Sequence, residues 1–335
     1  MKFGCTAFSW DTQDGKHLLG RTYDQYGDLS GNRIASVPQG FAMHTAAEPT
    51  RGKTVTVQHR FVGMAVQGLP VPVMVDGIND AGLMGALLHY PGFAHYDTAA
   101  GAGQLDVHPA YLTAYLLGQC RTVDEVCAQM EQINLTAEPI FGKEMPVHYI
   151  FSDETGEAVL IEPDADGQRV YRRTLGVLAN SPEYSWHRTN LRNYVAVDNL
   201  YKPPRDLLGE QLVSLGEGHG GGFGLPGDYS SPSRFVRMAF VKHYAVKGAD
   251  EIDGVGRMMH AFAAVDLPDG IQKAHPDYEA YEQTLCTSAM CAESRTYYFA
   301  TPSNRRIRAL CVERERQTDL CYYDLREQQD IDYMN

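Results

Sequence analysis

Residues 5–10, CTAFSW, have the alternation expected of a β-strand with one buried face. Turn-forming residues follow at 12–15, and the segment 17–21 is again typical of an extended chain. The sequence therefore predicts a hairpin-like pair of strands whose first residue is a cysteine.

Cys5 admits two interpretations. Cysteine is among the most buried residue types, so a structural role in the strand is the ordinary one. A cut between Gly4 and Cys5 would instead leave one residue with a thiol and a free α-amine, whose pKa is about 7.7–8.0. The thiolate would be the nucleophile and the amine its base, as in N-terminal nucleophile catalysis. On this hypothesis residues 1–4 are a short propeptide and residues 5–335 form a single domain.

The composition limits the class of protein. A chain of 335 residues, 44% hydrophobic and 21% charged, can build a large globular core. Its net charge of −13 argues against nucleic-acid binding, because phosphates would be repelled. No apolar run approaches the ~20 residues that cross a bilayer, and the first residues contain no secretory apolar region. We therefore expect a cytoplasmic globular protein that binds neither nucleic acid nor a membrane.

Two patterns that often mark metal or nucleotide sites give little support here. The seven cysteines form no CxxC pair, so we expect no metal and no cofactor. Their odd number fits a reducing compartment. The glycine-rich stretch 215–230 formally contains GxGxxG, but Pro226 follows closely and no βαβ unit surrounds it. The cysteines are Cys5, Cys120, Cys127, Cys286, Cys291, Cys311 and Cys321.

Many strands and few helices are predicted, in blocks rather than in βαβ alternation, which favours an α+β layered fold. Thr122 and Glu125 form a capping-box pattern at the start of one helix. The predicted helices are 109–119, 123–132, 234–246 and 252–265. The predicted strands after the hairpin are 54–66, 83–90, 147–152, 157–162, 168–173, 176–180, 283–291, 294–300 and 306–313.

Five segments together resemble the choloylglycine hydrolase family, which contains penicillin V acylases and conjugated bile salt hydrolases. They span nearly the whole chain in the order of the family, and they favour the nucleophilic interpretation of Cys5. They are the Cys5 strand with GRTYD at 20–24, DGINDAGLMGALLHYPGFAHY at 76–96, GVLANSPEYSWHRTNLRNY at 176–194, GFGLPGDYSSPSRFVRMAF at 222–240 and TLCTSAMCAESRTYYF at 284–299.

The resemblance implies a four-layer αββα sandwich of the N-terminal nucleophile hydrolase type that cleaves a non-peptide amide. It also implies a homo-oligomer, a tetramer by analogy. The implied site residues are the nucleophile Cys5, the pair Arg21 and Asp24, the oxyanion-stabilising amide Asn180 and the arginine Arg234. His89 departs from the Asn or Tyr that relatives have there, at a position whose backbone N–H is thought to bind the oxyanion.

Each of these residues also has an ordinary interpretation. Arg21 could lower the thiol pKa or be a solvated strand-end arginine. Asp24 could orient the α-ammonium of Cys5 or cap a turn. Three positions apart in a strand, Arg21 and Asp24 face opposite sides, so they are expected to converge only if the chain bends after Arg21. Asn180 could initiate a turn. Arg234 opens a helix, where a cation is unfavourable, which suggests a specific partner near Cys5 or Asp24.

An acyl or steroid pocket needs apolar walls. The candidates are Phe61, Leu69, Phe141 and Met145, each of which could equally belong to the core.

The first functional hypothesis is a cysteine amidohydrolase that cleaves penicillin V or a similar acyl amide through a thioester. The alternative within the family is a bile salt hydrolase that releases glycine or taurine, because both substrates join an apolar body to an anionic group. Cleavage of acyl-homoserine lactones is a further possibility. A non-catalytic binding protein on the same fold is the alternative of another class.

Overall fold

The computed structural model describes residues 4–47, 50–97, 103–140, 142–214, 220–273, 276–277 and 279–335. Within these ranges the α-helices are α1 Leu112–Gln119, α2 Val123–Met130, α3 Tyr184–Asn190, α4 Ser231–Tyr244 and α5 Glu251–Ala261. No helix in the described part of the chain is long and apolar enough to span a membrane.

The strands are numbered in chain order. They are β1 Cys5–Asp11, β2 His17–Tyr26, β3 Asn32–Val37, β4 Ala42–His44, β5 Thr54–Thr56, β6 Phe61–Val66, β7 Val73–Met74, β8 Asp76–Asn79, β9 Met84–His89, β10 Leu105–Val107, β11 Ile133–Leu135, β12 Val147–Ser152, β13 Ala158–Asp164, β14 Gly167–Tyr171, β15 Val177–Leu178, β16 Arg205–Leu207, β17 Glu210–Leu212, β18 Gln272–Lys273, β19 Tyr281–Cys291, β20 Thr296–Thr301, β21 Asn304–Cys311 and β22 Cys321–Tyr323.

Two large antiparallel sheets form the centre of the molecule. The first has the order β15-β1-β2-β19-β20-β21, with β18 beside β19. The second has the order β14-β13-β12-β9-β8-β6-β3-β22, with β7 beside β6. The pairs β4–β5, β10–β11 and β16–β17 are separate two-stranded sheets.

The helices cover the outer faces of these sheets. Helices α4 and α5 pack on the first sheet, α1 packs on the second, and β1 of the first sheet faces β9 of the second. The order of layers is helix, sheet, sheet, helix, so the predicted αββα fold is confirmed.

The opening hairpin forms as predicted. Cys5 pairs with Tyr23, and the register continues to Asp11 opposite His17. The turn closes through the Thr12 N–H, which donates to the Lys16 carbonyl, and Gly15 adopts a φ of +82° that favours glycine. This hairpin places Cys5 at the start of β1, which lies between β2 and the short edge strand β15 in the first sheet.

The other predicted elements form close to their predicted bounds, apart from one interrupted strand, but the structure also contains elements that the sequence did not predict. The strands missed are β3, β4, β7, β8, β10, β11, β16, β17, β18 and β22. The predicted strand 54–66 is interrupted, because the N–H groups of Gln58 and His59 both donate to the Gly118 carbonyl at the end of α1. The predicted strand 176–180 is reduced to β15, Val177–Leu178. The residues Tyr184–Asn190 that follow form α3, which the sequence did not predict. Thr122 accepts from the Glu125 N–H and caps α2 as predicted.

Candidate active site

Cys5 is buried at the start of β1, with 3% of its surface exposed. Its backbone N–H donates to Asn180 Oδ1 at 2.8 Å. The Gly4 carbonyl accepts from the Asp24 N–H at 3.1 Å. Both the carbonyl and the N–H of the Gly4–Cys5 peptide bond therefore have hydrogen-bond partners.

Arg21 contacts the sulfur of Cys5 directly. Its Nη2 donates to Cys5 Sγ at 2.8 Å, and its Nη1 donates to the Val75 carbonyl of the second sheet at 2.9 Å. The guanidinium also lies over the ring of Tyr23, 5.0 Å from its centroid. Arg21 is buried, so the solvated interpretation is wrong for this arginine.

Burial decides the pKa of the Cys5 thiol. Desolvation is the largest effect and raises the pKa, because a buried thiolate loses its hydration. Arg21 gives the second largest effect and lowers the pKa, but the net direction is upward. The lowering of the thiol pKa that was expected from Arg21 is thus present but is outweighed by burial.

Asp24 is a buried carboxyl group on the other side of Cys5. It accepts from Thr284 Oγ1 at 2.7 Å and from Thr22 Oγ1 at 3.2 Å. Burial raises its pKa to about 7, and the charge of Arg234 is the largest opposing effect. Asp24 therefore titrates near neutrality, where its charge state can change with small shifts in pH.

Arg21 and Asp24 lie on opposite faces of the first sheet, as the alternation predicts, and no bend brings them together. Strand β2 runs without a break from His17 to Tyr26 and includes both residues. Arg21 reaches the carbonyl of Val75 between the two sheets, whereas Asp24 lies beside Arg234 of α4. The alternation of the strand thus puts one residue on each face of the first sheet, with Cys5 of the adjacent strand between them.

Arg234 joins α4 to the start of β1. Its Nη1 donates to the Cys5 carbonyl and to Thr6 Oγ1, both at 2.6 Å, and its Nη2 donates to Asn180 Oδ1 at 2.6 Å. Ser230 caps the helix by accepting from the Ser233 N–H, and the Arg234 side chain extends from the first turn of the helix to the sheet. The predicted specific partner is therefore the backbone of Cys5, together with Asn180.

Asn180 is held at both ends of its amide. Its Oδ1 accepts from the Cys5 N–H and from Arg234, and its Nδ2 donates to the His89 carbonyl at 2.7 Å. These partners fix the orientation of the amide, because a flipped amide would face donors with its own donor. His89 is buried at the end of β9 and takes part through this carbonyl.

Buried histidines that sequence reasoning missed support the backbone around Asn180. His148 Nε2 lies 2.8 Å from the Ala179 carbonyl, and His187 Nε2 lies 2.9 Å from the Asn180 carbonyl. Burial lowers the pKa of His187 to about 4, so this imidazole is neutral and donates from Nε2. His148 also contacts the buried carboxylate of Glu162 at 3.1 Å. His148 lies 31 positions from Ala179 along the chain and His187 lies seven from Asn180, and no local motif signals either contact.

The four predicted pocket residues have different positions. Phe61 is buried in β6 with its ring against Gly118 of α1, on the helix side of the second sheet. Its assignment to the pocket is therefore wrong, since Cys5 Sγ lies between the two sheets. Leu69 and Met145 are partly buried at the margin of the core. Phe141 lies outside the described residues.

No cluster of three or more His, Cys, Asp or Glu side chains that could hold a metal ion occurs among the residues for which coordinates are described. The site is built instead from one thiol, two arginines, one carboxyl group and one amide. Such a set can supply a nucleophile and hydrogen-bond donors for acyl transfer.

Comparison with known proteins identifies the family. A family model described as linear amide C–N hydrolases, choloylglycine hydrolase family, matches residues 5–326. The bile salt hydrolase/transferase of Clostridium perfringens is 30% identical over 316 residues, 93% of each chain. The protein of the same name from Bifidobacterium longum is 29% identical over 308 residues, 92% of this chain and 95% of the other.

Solved structures agree with this assignment. A mutant of the conjugated bile acid hydrolase from Clostridium perfringens has a TM-score of 0.90 and 27% identity, covering 99% of this chain and 100% of that one. Penicillin V acylase from Agrobacterium tumefaciens has a TM-score of 0.71 and 19% identity, covering 92% and 87%, which shows a common fold. The resemblance stated from the sequence is confirmed: this enzyme belongs to the choloylglycine hydrolase family of linear amide C–N hydrolases.

Proposed function

We propose that this amide hydrolase uses Cys5 as an N-terminal nucleophile and that its substrate is a conjugated bile salt. The observation that carries the catalytic part is the 2.8 Å contact between Arg21 Nη2 and Cys5 Sγ. A buried guanidinium at this distance stabilises the thiolate that attacks the substrate.

Removal of the residues before Cys5 activates the enzyme. In the uncut chain the α-nitrogen of Cys5 is an amide and cannot act as a base. After the cut it is an amine beside Asn180 Oδ1, and it takes the thiol proton and returns it to the leaving amine. The acyl group forms a thioester with Sγ, which water hydrolyses.

The oxyanion of the tetrahedral intermediate needs hydrogen-bond donors. The Asn180 Nδ2 group carries two N–H bonds, one of which is donated to the His89 carbonyl. The second N–H of Asn180 and the backbone N–H of His89 are the donors that we assign to the oxyanion.

The choice of substrate rests on relatives. Those at 28–30% identity over about nine tenths of the chain include proteins named bile salt hydrolase/transferase and conjugated bile acid hydrolase. This favours the bile salt over penicillin V, which the sequence analysis placed first. Penicillin V stays the second candidate because a penicillin V acylase has the same fold.

Leu69 and Met145 are proposed to line the acyl pocket. The homotetramer and the cytoplasmic location also stay predictions.

Parallel kinetics on glycocholate, taurocholate and penicillin V test this proposal, with Cys5→Ser as the matched variant. We expect kcat/KM to be highest for a bile salt, and kcat to fall at least ~100-fold in Cys5→Ser because the hydroxyl is a poorer nucleophile. Equal rates for Cys5→Ser and the parent would remove Cys5 from the mechanism. A preference for penicillin V would overturn the substrate assignment alone.

A further inference from the structure

Gly4 occupies an enclosed space next to the bond that must be cut. A Cβ atom at position 4 would lie 3.0 Å from Glu282 Oε1, 3.3 Å from Arg234 Nη2 and 3.4 Å from Asp24 Oδ2. Contacts of 3.0–3.4 Å are tighter than most real Cβ contacts, so any side chain at position 4 would require these groups to shift by a few tenths of an ångström. Two carboxyl groups and a guanidinium thus surround the residue that precedes the nucleophile.

Both polar groups of Gly4 have partners in this space. Its carbonyl, which belongs to the Gly4–Cys5 peptide bond, accepts from the Asp24 N–H at 3.1 Å. Its N–H donates to Glu282 Oε1. The carbonyl that Cys5 would attack is therefore fixed from one side, and the residue that carries it is anchored from the other.

Glu282 is placed for this contact by the first sheet. It lies in β19 opposite Tyr26 of β2, and 2% of its surface is exposed. Its second oxygen accepts from Gln272 of the neighbouring strand β18. A carboxylate buried at this depth is costly unless it is hydrogen-bonded, and Gly4 supplies one of its bonds.

We propose that Glu282 is a positioning residue for the self-cleavage of the Gly4–Cys5 bond, and that it acts before this cut rather than in substrate turnover. The proposal deepens the proposed function and rests on it, because it concerns how the nucleophile is released. Glu282 anchors Gly4 so that its carbonyl stays on the Asp24 N–H and within reach of Cys5 Sγ.

The step is an acyl shift followed by hydrolysis. Cys5 Sγ attacks the Gly4 carbonyl carbon through a five-membered ring, and the Asp24 N–H stabilises the oxyanion. The C–N bond breaks, the C–S bond forms, and the thiol proton passes to the released α-amine. Water then hydrolyses the thioester, which restores the thiol and leaves a carboxylic acid on Gly4.

The test compares Glu282→Ala and Glu282→Gln in two forms of the chain: the full chain, and a chain in which an initiator Met directly precedes Cys5. Cleavage of the full chain is followed by intact-mass spectrometry over time after purification. We expect Glu282→Ala to slow cleavage roughly tenfold or more, since a hydrogen bond to a charged group is lost. Glu282→Gln is expected to recover most of the rate, because its amide oxygen still accepts from Gly4.

In the chain that starts at Cys5, both variants are expected to keep the kcat and KM of the parent. Glu251→Gln, which removes a carboxylate that bonds Ser294 and Tyr298 away from the site, is the matched control and is expected to cleave at the parental rate. A second variant, Gly4→Val, is expected to slow cleavage without any change at Glu282.

Cleavage of full-length Glu282→Ala at the parental rate would overturn the proposal. So would an equal loss of activity for Glu282→Ala in the chain that starts at Cys5, since Glu282 would then act in turnover or in folding. These results differ from failure of the proposed function, in which the parent itself stays uncut or is cut without gaining hydrolase activity.

Discussion

At the scale of residues, the site balances burial against charge around one sulfur atom. Burial raises the pKa of the Cys5 thiol, and the contact with Arg21 opposes this. Of these two opposing effects on the pKa of the thiol, burial is the larger. Two predictions measure this balance.

The first concerns Arg21. We expect Arg21→Leu to raise the pKa of the thiol further and to slow its alkylation by iodoacetamide at pH 7.5 roughly tenfold or more, as a close charge commonly does. The measurement is the pH profile of alkylation at Cys5, read by mass spectrometry. Arg172→Leu is the control, because Arg172 pairs with Glu157 and Asp124 at the surface. An unchanged profile in Arg21→Leu would contradict the role of Arg21.

The second concerns Asp24, whose pKa rises from 3.8 to about 7 on burial. A carboxyl with a raised pKa binds its proton more tightly when the chain is folded. Its contribution to stability is therefore complete below pH 3.8 and is lost as the pH rises through 7.

We expect Asp24→Asn to raise Tm relative to its parent more at pH 8 than at pH 5, because the amide avoids the cost of burying a charge. Both chains carry Cys5→Ala, which keeps Gly4 attached. The change in Tm caused by Asp24→Asn is compared between pH 5 and pH 8. This comparison removes the effect of any hydrogen bond to Thr284 that the substitution loses at both pH values. An equal difference in Tm between Asp24→Asn and its parent at pH 5 and pH 8 would show that Asp24 does not titrate between these pH values.

At the scale of elements, the packing of α5 on the first sheet depends on a glycine. A Cβ atom at Gly20 of β2 would lie 2.6 Å from Met258 Sδ and 2.8 Å from both Phe262 Cε2 and the Ser288 carbonyl. The helix can approach the strand this closely only because position 20 has no side chain. The same approach lets Phe262 pack against Phe8, with ring centroids 4.9 Å apart.

We therefore expect Gly20→Ala to lower the free energy of unfolding by about 1–3 kcal/mol, because either the helix or the strand must move. Urea denaturation measures this change. Gly256→Ala is the control: this glycine is an exposed residue within α5 and a Cβ atom there would meet nothing within 4 Å. In that position alanine is expected to be neutral or to stabilise by about 0.5–1 kcal/mol. Equal effects of the two changes would contradict the packing argument.

At the scale of the whole molecule, the two sheets are joined by buried polar contacts as well as by the apolar core. Asp76 of β8 accepts from Tyr297 of β20 at 2.7 Å and from Ser288 of β19 at 2.6 Å. Arg21 crosses the same interface to the Val75 carbonyl. Cys5, which Arg21 contacts, therefore lies where directional bonds fix the relative position of the sheets.

We expect Asp76→Ala to lower the free energy of unfolding by about 3 kcal/mol or more, because several buried donors lose their acceptor at about 1–3 kcal/mol each. Ser288→Ala, which removes one donor and leaves Tyr297 in place, is expected to cost less than half as much. The measurement is urea unfolding of both variants. A larger loss of unfolding free energy for Ser288→Ala than for Asp76→Ala would show that the side chain of Asp76 does not hold the two sheets together.

Local patterns in the chain were enough to determine the opening hairpin and the cap of α2. Cys5–Asp11 is extended as predicted, because alternation and turn residues act over a few positions. The identities of Cys5, Arg21, Asp24 and Asn180 came from segments that resemble a family.

Only the tertiary structure decided which of these groups meet and from which side. Gly4 contacts Glu282 across 278 positions and Arg234 reaches Cys5 across 229, and no periodicity relates residues so far apart. Burial likewise reverses the expected direction of the Cys5 pKa, since desolvation depends on every layer that covers the thiol. The sequence therefore named the candidate site residues. Their mutual contacts and the pKa of the Cys5 thiol followed only from the packing of the two sheets and the helices around them.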